Sequence, residues 1–143
     1  MGTLPEIHLH PMLIHFPIAL FFSSLIFETI SLIVRKDQYH HTAFSLFVFA
    51  IICTPVALVT GFREAQELHL KHHVLDIHQA FAYATFISSV WGLSILWYVR
   101  KKSQQAFRKL FFIFLLIIAA CVSVTAYNGG RMVYEYAVGV DSN

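Results

Sequence analysis

Two histidines open the first apolar stretch of the chain, the segment HPMLIHFPIAL at residues 10–20. An ionisable side chain inside a lipid-spanning segment is costly, and by default it marks a functional site with a partner. An imidazole nitrogen can take an axial position on haem iron, ligate a metal ion, or handle a proton. Ala19 lies one helical turn after His15, and Ala82 lies one turn after His78. Each of these histidines therefore stands above a small side chain on its own helical face. Two inward imidazoles on different helices, each backed by a small residue, can clamp a flat macrocycle that fills the space left free. The pattern predicts a b-type haem held by His15 and His78, with Ala19 and Ala82 beneath it. Its propionates would meet Arg63, Lys71 or Arg131 at the interface. A second reading makes His10, His15, His73 and His78 ligands of a Zn, Cu or Fe ion, supported by Asp76 or Glu64. His10/His15 and His73/His78 lack the three- or four-residue spacing that puts two ligands on one helical face, whereas His69, His72 and His73 have it. The bland reading leaves interfacial histidines bonded to water or to backbone carbonyls, and it suits His8, His40, His41, His69 and His72.

The elements that must position these groups follow from composition. Of 143 residues, 57% are hydrophobic and only 13% charged, and the apolar residues come in long runs. Four windows reach the length of roughly 20 residues that a bilayer core requires: 11–34, 43–62, 79–99 and 110–128. These predict one all-α domain over residues 1–143, an integral membrane four-helix bundle with short loops and antiparallel neighbours. Glu6 precedes the first window with no Lys or Arg ahead of it, the wrong flank for a secretory signal peptide, so that window is read as a helix. Arg35 and Lys36 follow the first window, and Arg100, Lys101, Lys102, Arg108 and Lys109 follow the third. The positive-inside rule makes those loops cytoplasmic and sends both termini outward, which gathers His8, His10, His15, His69, His72, His73 and His78 on the outer side. The net charge of +2 is explained by these anchoring loops and gives no support to nucleic-acid binding. Cys53 and Cys121 fall within helices and read as small buried hydrophobes rather than a disulfide or a thiol catalyst.

Small residues recur at helical spacing in Ala50, Cys53, Ala57 and Gly61, in Ala82, Thr85, Ser89 and Gly92, and in Ala119, Ser123, Ala126 and Gly130. These stripes predict packing faces, and the second of them begins at His78, one turn before Ala82. Pro17 and Pro55 lie inside their helices and predict local bends. Glu28, in the lower half of the first helix, either snorkels toward Arg35 or handles a proton while bonded to Ser123, Thr125 or nearby backbone. Gly129 and Gly130 read as the C-cap of the fourth helix, followed by an apolar segment over residues 133–140 that could cover the mouth of the bundle. Trp97, Tyr98 and Tyr127 read as interface anchors.

The opening HPMLIHFPIAL and the closing GGRMVYEYAVGV, residues 129–140, together resemble the bacterial membrane-protein family catalogued as domain of unknown function 2231. The residues that carry the resemblance are His10, Pro11, His15, Phe16, Pro17, Ile18, Glu28, His78, Gly129, Gly130, Val133, Tyr134, Gly139 and Val140. Ala137 departs from the pattern, where the family often has glycine, and the loop histidines are particular to this chain. The resemblance implies four helices and no assigned reaction. Some relatives are joined to c-type cytochrome domains, which implies redox work at the outer face. The expectation that results is an electron carrier in the bacterial inner membrane, serving a quinol or an outer-face redox protein, as a single copy or an oligomer. The alternatives are a metal-ion binding or transport module and a non-catalytic structural subunit.

Overall fold

The computed structural model describes residues 9–67 and 73–136, which form four α-helices: α1 Leu9–Val34, α2 Asp37–Glu67, α3 His73–Arg100 and α4 Gln104–Tyr134. Each is long and apolar enough to cross a membrane. All four outrun the apolar windows, because helical hydrogen bonding continues into the polar ends once the hydrocarbon core has been spanned. The backbone turns sharply after α1, where Arg35 takes the left-handed conformation (φ 58) and its N–H bonds to the Ser31 carbonyl at 2.9 Å. Ser31 Oγ ties the same turn by donating to the Lys36 carbonyl at 3.2 Å. At the other such turn, Ser103 caps α4 by accepting from the Ala106 N–H.

The helices pair as two hairpins, α1 with α2 and α3 with α4, and the hairpins meet along α1–α4 and α2–α3. This places α1 diagonal to α3 and α2 diagonal to α4. The centre is filled by Phe21, Phe47, Ala50, Ile51, Leu96, Phe107, Phe111, Leu115, Ile118 and Val122. Only 22–33% of each span is buried, and large apolar side chains such as Phe16, Ile33, Ile52, Trp91 and Trp97 cover the outside. Such an apolar surface, wrapped around all four helices, requires lipid. Lys101 Nζ sits 4.2 Å from the Trp97 ring and Lys102 Nζ 4.5 Å from that of Tyr98, cation–π pairs at one rim of the bundle.

Two expected packing features differ. Ala57 on α2 is buried, as are Thr85, Ser89 and Gly92 on α3, but Ser123 and Ala126 on α4 face outward. The inward face of α4 carries Phe107, Phe111, Leu115, Ile118 and Val122 instead. Bulky residues win there because α4 fills the central space opposite Phe47, whose ring lies 5.4 Å from that of Phe111. The glycine pair does not cap α4 either. The helix runs through Gly129 and Gly130 to Tyr134, and of the segment expected to cover the bundle, residues 137–140 lie outside the described residues.

Candidate functional site

Two polar centres are buried in the bundle, at opposite ends. The first lies where α1 and α3 begin. His10 and His78 meet across the diagonal with ring centroids 6.4 Å apart and planes at 84°. His78 is buried on the interior face of α3, and His10, the second residue of α1, is partly buried. Each ring is anchored through Nδ1. His78 Nδ1 lies 2.9 Å from the Thr125 carbonyl of α4, which can only accept, so Nδ1 carries the hydrogen. His10 Nδ1 lies 3.2 Å from Thr60 Oγ1 of α2. The Thr60 hydroxyl is also within reach of the Val56 and Ala57 carbonyls of its own helix, and while its one hydrogen is given there its oxygen accepts from His10. His78 thus holds its hydrogen on Nδ1 and keeps a lone pair on Nε2, and His10 does the same while Thr60 donates along its own helix.

Glycines make room for both rings. A Cβ on Gly61 would lie 2.6 Å from His10 Cε1, a distance that real side chains do not tolerate, and one on Gly129 would lie 3.3 Å from His78 Cε1. Among the described residues, Gly130 has nothing within 4 Å of where its Cβ would stand. Gly129 is thus set by the His78 ring and not by a helix stop, and nothing in the described structure explains Gly130.

The other expected site residues are distributed differently. His15 does not turn inward: its ring lies on the exposed face of α1 and Nδ1–H donates to the Pro11 carbonyl one turn back. Ala19 is exposed on the same face, whereas Ala82 is half-buried. His10 and not His15 comes to His78, because the α1 face that meets α2 at Gly61 is the His10 face. His73 opens α3 exposed. His8, His69, Lys71 and His72 lie outside the described residues. Arg63 is exposed and, with Phe62, Gln66 and Tyr83, lines an open cleft of about 390 Å³ between α2 and α3. Arg131 pairs with Glu135, Nη2 to Oε2 at 2.8 Å. That bond holds the Glu135 carboxyl below its ordinary range. Among the described residues no three His, Cys, Asp or Glu side chains come together.

The second centre lies at the opposite end, where α2 and α4 begin. Glu28 of α1 is fully buried, and its Oε2 lies 2.7 Å from Nδ1 of His40 on α2. His40 is buried in α2 rather than set in a loop, and its ring meets Phe107 and Phe111 edge-on at 5.3 and 5.7 Å. Glu28 therefore bonds neither Ser123 nor Thr125, whose hydroxyls donate to the Ala119 and Cys121 carbonyls of their own helix. Beside it, Arg108 of α4 donates to Asp37 at 2.8 Å and to Ser31 Oγ at 2.5 Å, joining α4 to the α1–α2 hairpin. The spacing of Glu28 and His40, twelve residues across a short connection, was the available signal for this pair. It is legible only if α2 starts well before its apolar window.

Fold and centres together define a four-helix membrane protein with a buried histidine pair at one end and a buried carboxylate–imidazole pair at the other. A family model described as a predicted membrane protein (DUF2231) matches residues 6–142, and the chain belongs to that family. The curated proteins and the solved structures gave no match.

Proposed function

We propose that the chain is a b-type haem protein that carries electrons at one membrane face, with His10 and His78 as the axial pair. The observation that carries this reading is the meeting of His10 and His78 across the bundle, with each ring anchored through Nδ1, to Thr60 Oγ1 and to the Thr125 carbonyl. Metal-bound histidines characteristically donate their other ring N–H to a carbonyl or hydroxyl, as His78 does here and His10 does while Thr60 donates along its own helix. The 6.4 Å separation is compatible: two imidazoles on one metal, at roughly 2 Å per metal–nitrogen bond, hold their ring centres about 6 Å apart. An edge-to-face contact has the same spacing, so the anchoring of each Nδ1 and not the distance supports the ligand role.

Haem iron already held by a porphyrin needs only two axial donors, whereas a structural Zn ion takes four protein ligands. Two donors are what this centre supplies. When bound, haem would provide a reversible one-electron centre. His10 and His78 would hold it, Thr60 and the Thr125 carbonyl would orient the rings, and Gly61 and Gly129 leave the rings their space. Arg63 remains available to a propionate, while Arg131 would first have to leave Glu135. The basic residues at 35–36 and 100–109 support an orientation with those turns cytoplasmic, and hence both termini and the histidine pair outward, in a bacterial inner membrane. A quinol or an outer-face redox protein is then the partner.

The test is a reduced-minus-oxidised visible spectrum of detergent-purified protein from haem-sufficient cells, with haem counted per chain. One haem per chain is expected in the wild type and in His15→Ala, and none in His10→Ala or His78→Ala. A colourless wild type overturns the reading, and metal analysis of the same sample then decides between ion binding and a structural role. Loss of haem in His15→Ala with retention in His10→Ala would restore the pair expected from the sequence.

A further inference from the structure

We propose that Glu28 and His40 form a proton-binding site that exchanges one proton with water at the end of the bundle carrying Arg100 and Arg108. The site is independent of the haem reading: Glu28 lies about 27 Å from His10 along α1 at 1.5 Å per residue, and the apolar core lies between them.

Three observations combine. Glu28 is fully buried, and while Oε2 is held by His40, Oε1 has no hydrogen-bond partner among the described residues. A carboxylate in that position keeps an uncompensated charge and an unmet acceptor in a dry setting, whereas a pair that has gained one proton is neutral overall. Second, His40 spans the boundary between interior and solvent. Its Nδ1 is taken by Glu28, and the residue lines a cleft of about 320 Å³, which leaves Nε2 for the cleft. Third, the other direction is closed. Ser24, one turn deeper on α1, is buried and donates to the Ala43 carbonyl, and beyond it Phe21, Phe47, Leu115 and Ile118 fill the bundle.

The transfer balances with groups present. In the unprotonated state His40 is neutral and its Nδ1–H donates to the Glu28 carboxylate. A proton from cleft water bonds to Nε2, the Nδ1–H proton moves to Oε2, and Nδ1 then accepts a hydrogen bond from the new carboxylic acid. The imidazole ends neutral with its hydrogen on Nε2, and the pair has gained one proton and one unit of charge. The charged and titratable groups facing this event are Asp37 and His41 from α2, Arg100 from α3 and Arg108 from α4, all lining the cleft. Arg108 is paired with Asp37 and bonds Ser31 Oγ, and its Nε, like Glu28 Oε1, is buried without a hydrogen-bond partner among the described residues.

The experiment is infrared spectroscopy of the full chain in proteoliposomes, following the carboxylic-acid C=O band from about pH 5 to about pH 8. The expected result is a band that grows as pH falls, shifts in heavy water and is missing in Glu28→Gln. In His40→Phe its exchange with heavy water slows on the order of a hundredfold, since the relay is gone. A pH change on one side should move the band only from the side where Gln104→Cys reacts with an impermeant thiol reagent. A purely structural hydrogen bond predicts no band, or one that neither titrates nor exchanges, and either result in the wild type overturns the proposal without reliance on any variant folding. A band that follows the opposite side, or exchange unchanged in His40→Phe, also overturns it.

Discussion

The two ends of the bundle hold histidine in opposite ways. At the first, the partners of Nδ1 are the Thr125 carbonyl and the Thr60 hydroxyl, neither of which is an acid at ordinary pH. At the second, the partner of Nδ1 is a carboxylate, which can give a proton as well as receive a hydrogen bond. A ring anchored in this way suits a ligand, because it presents its other nitrogen. A shared proton suits proton exchange, because both sides of the bond can carry it. The same side chain, at similar burial, is thus given different chemistry by the atom it meets.

The largest break in this comparison is expected at the second end. His40→Ala leaves the buried Glu28 carboxyl without its partner, and breaking a buried pair costs about 3–5 kcal/mol. The double variant Glu28→Leu, His40→Phe removes the need for a partner and should recover much of that loss. A double-mutant cycle of Glu28→Leu, His40→Phe and the two together, in denaturant or heat, checks this. Additive losses in the cycle would mean that the two side chains do not act as a pair.

The first end is sharpened by a glycine series. Gly61→Ala puts a methyl into the His10 ring, and overpacking of that kind costs about 1–3 kcal/mol. It should also lose haem, because the ring must leave Thr60. Gly129→Ala asks His78 to yield by a few tenths of an ångström and should weaken haem retention less. Gly130→Ala meets open space within a helix and should stabilise the protein by about 0.5–1 kcal/mol. Haem content and melting temperature of the three variants, taken together, would expose a wrong ring placement as equal behaviour at all three positions.

The smallest effect belongs to the exposed pair Arg131–Glu135. The Glu135 carboxyl is held below its ordinary range chiefly by its hydrogen bond from Arg131, so whatever stability it adds is present above the unfolded-state carboxylate value. It is lost as pH falls through the lower folded value. Solvent screening keeps that contribution slight. Melting curves across acid pH should therefore be nearly the same for wild type and Glu135→Ala, and a clear divergence would show that the helix end is more enclosed than its exposure implies.

Four spans were legible from run length alone, because a bilayer core sets a minimum number of apolar residues that few soluble segments reach. The chemistry was legible as residue types: His10, His78, Glu28, Gly61 and Gly129 all stand out in apolar surroundings. What the spacing misled about was direction. His15 with Ala19 and His78 with Ala82 have the same local pattern, yet one pair lies on the surface and the other faces inward. A lipid-facing and a core-facing helical surface are equally apolar, so hydrophobic periodicity carries little rotational information in a membrane helix. The low share of each span that is buried makes that ambiguity general.

The amino-acid sequence by itself determined the class of protein, the number of crossings and the inventory of costly groups, since each follows from composition along a line. Only the tertiary structure decided which of those groups meet. His10 reaches His78 because α1 and α3 lie on a diagonal and Gly61 and Gly129 leave room at the centre. Glu28 reaches His40 because α2 begins as a helix at Asp37, directly after a two-residue turn. Partnerships between helices depend on how each is rotated and where it begins, and those are settled by packing the whole bundle at once.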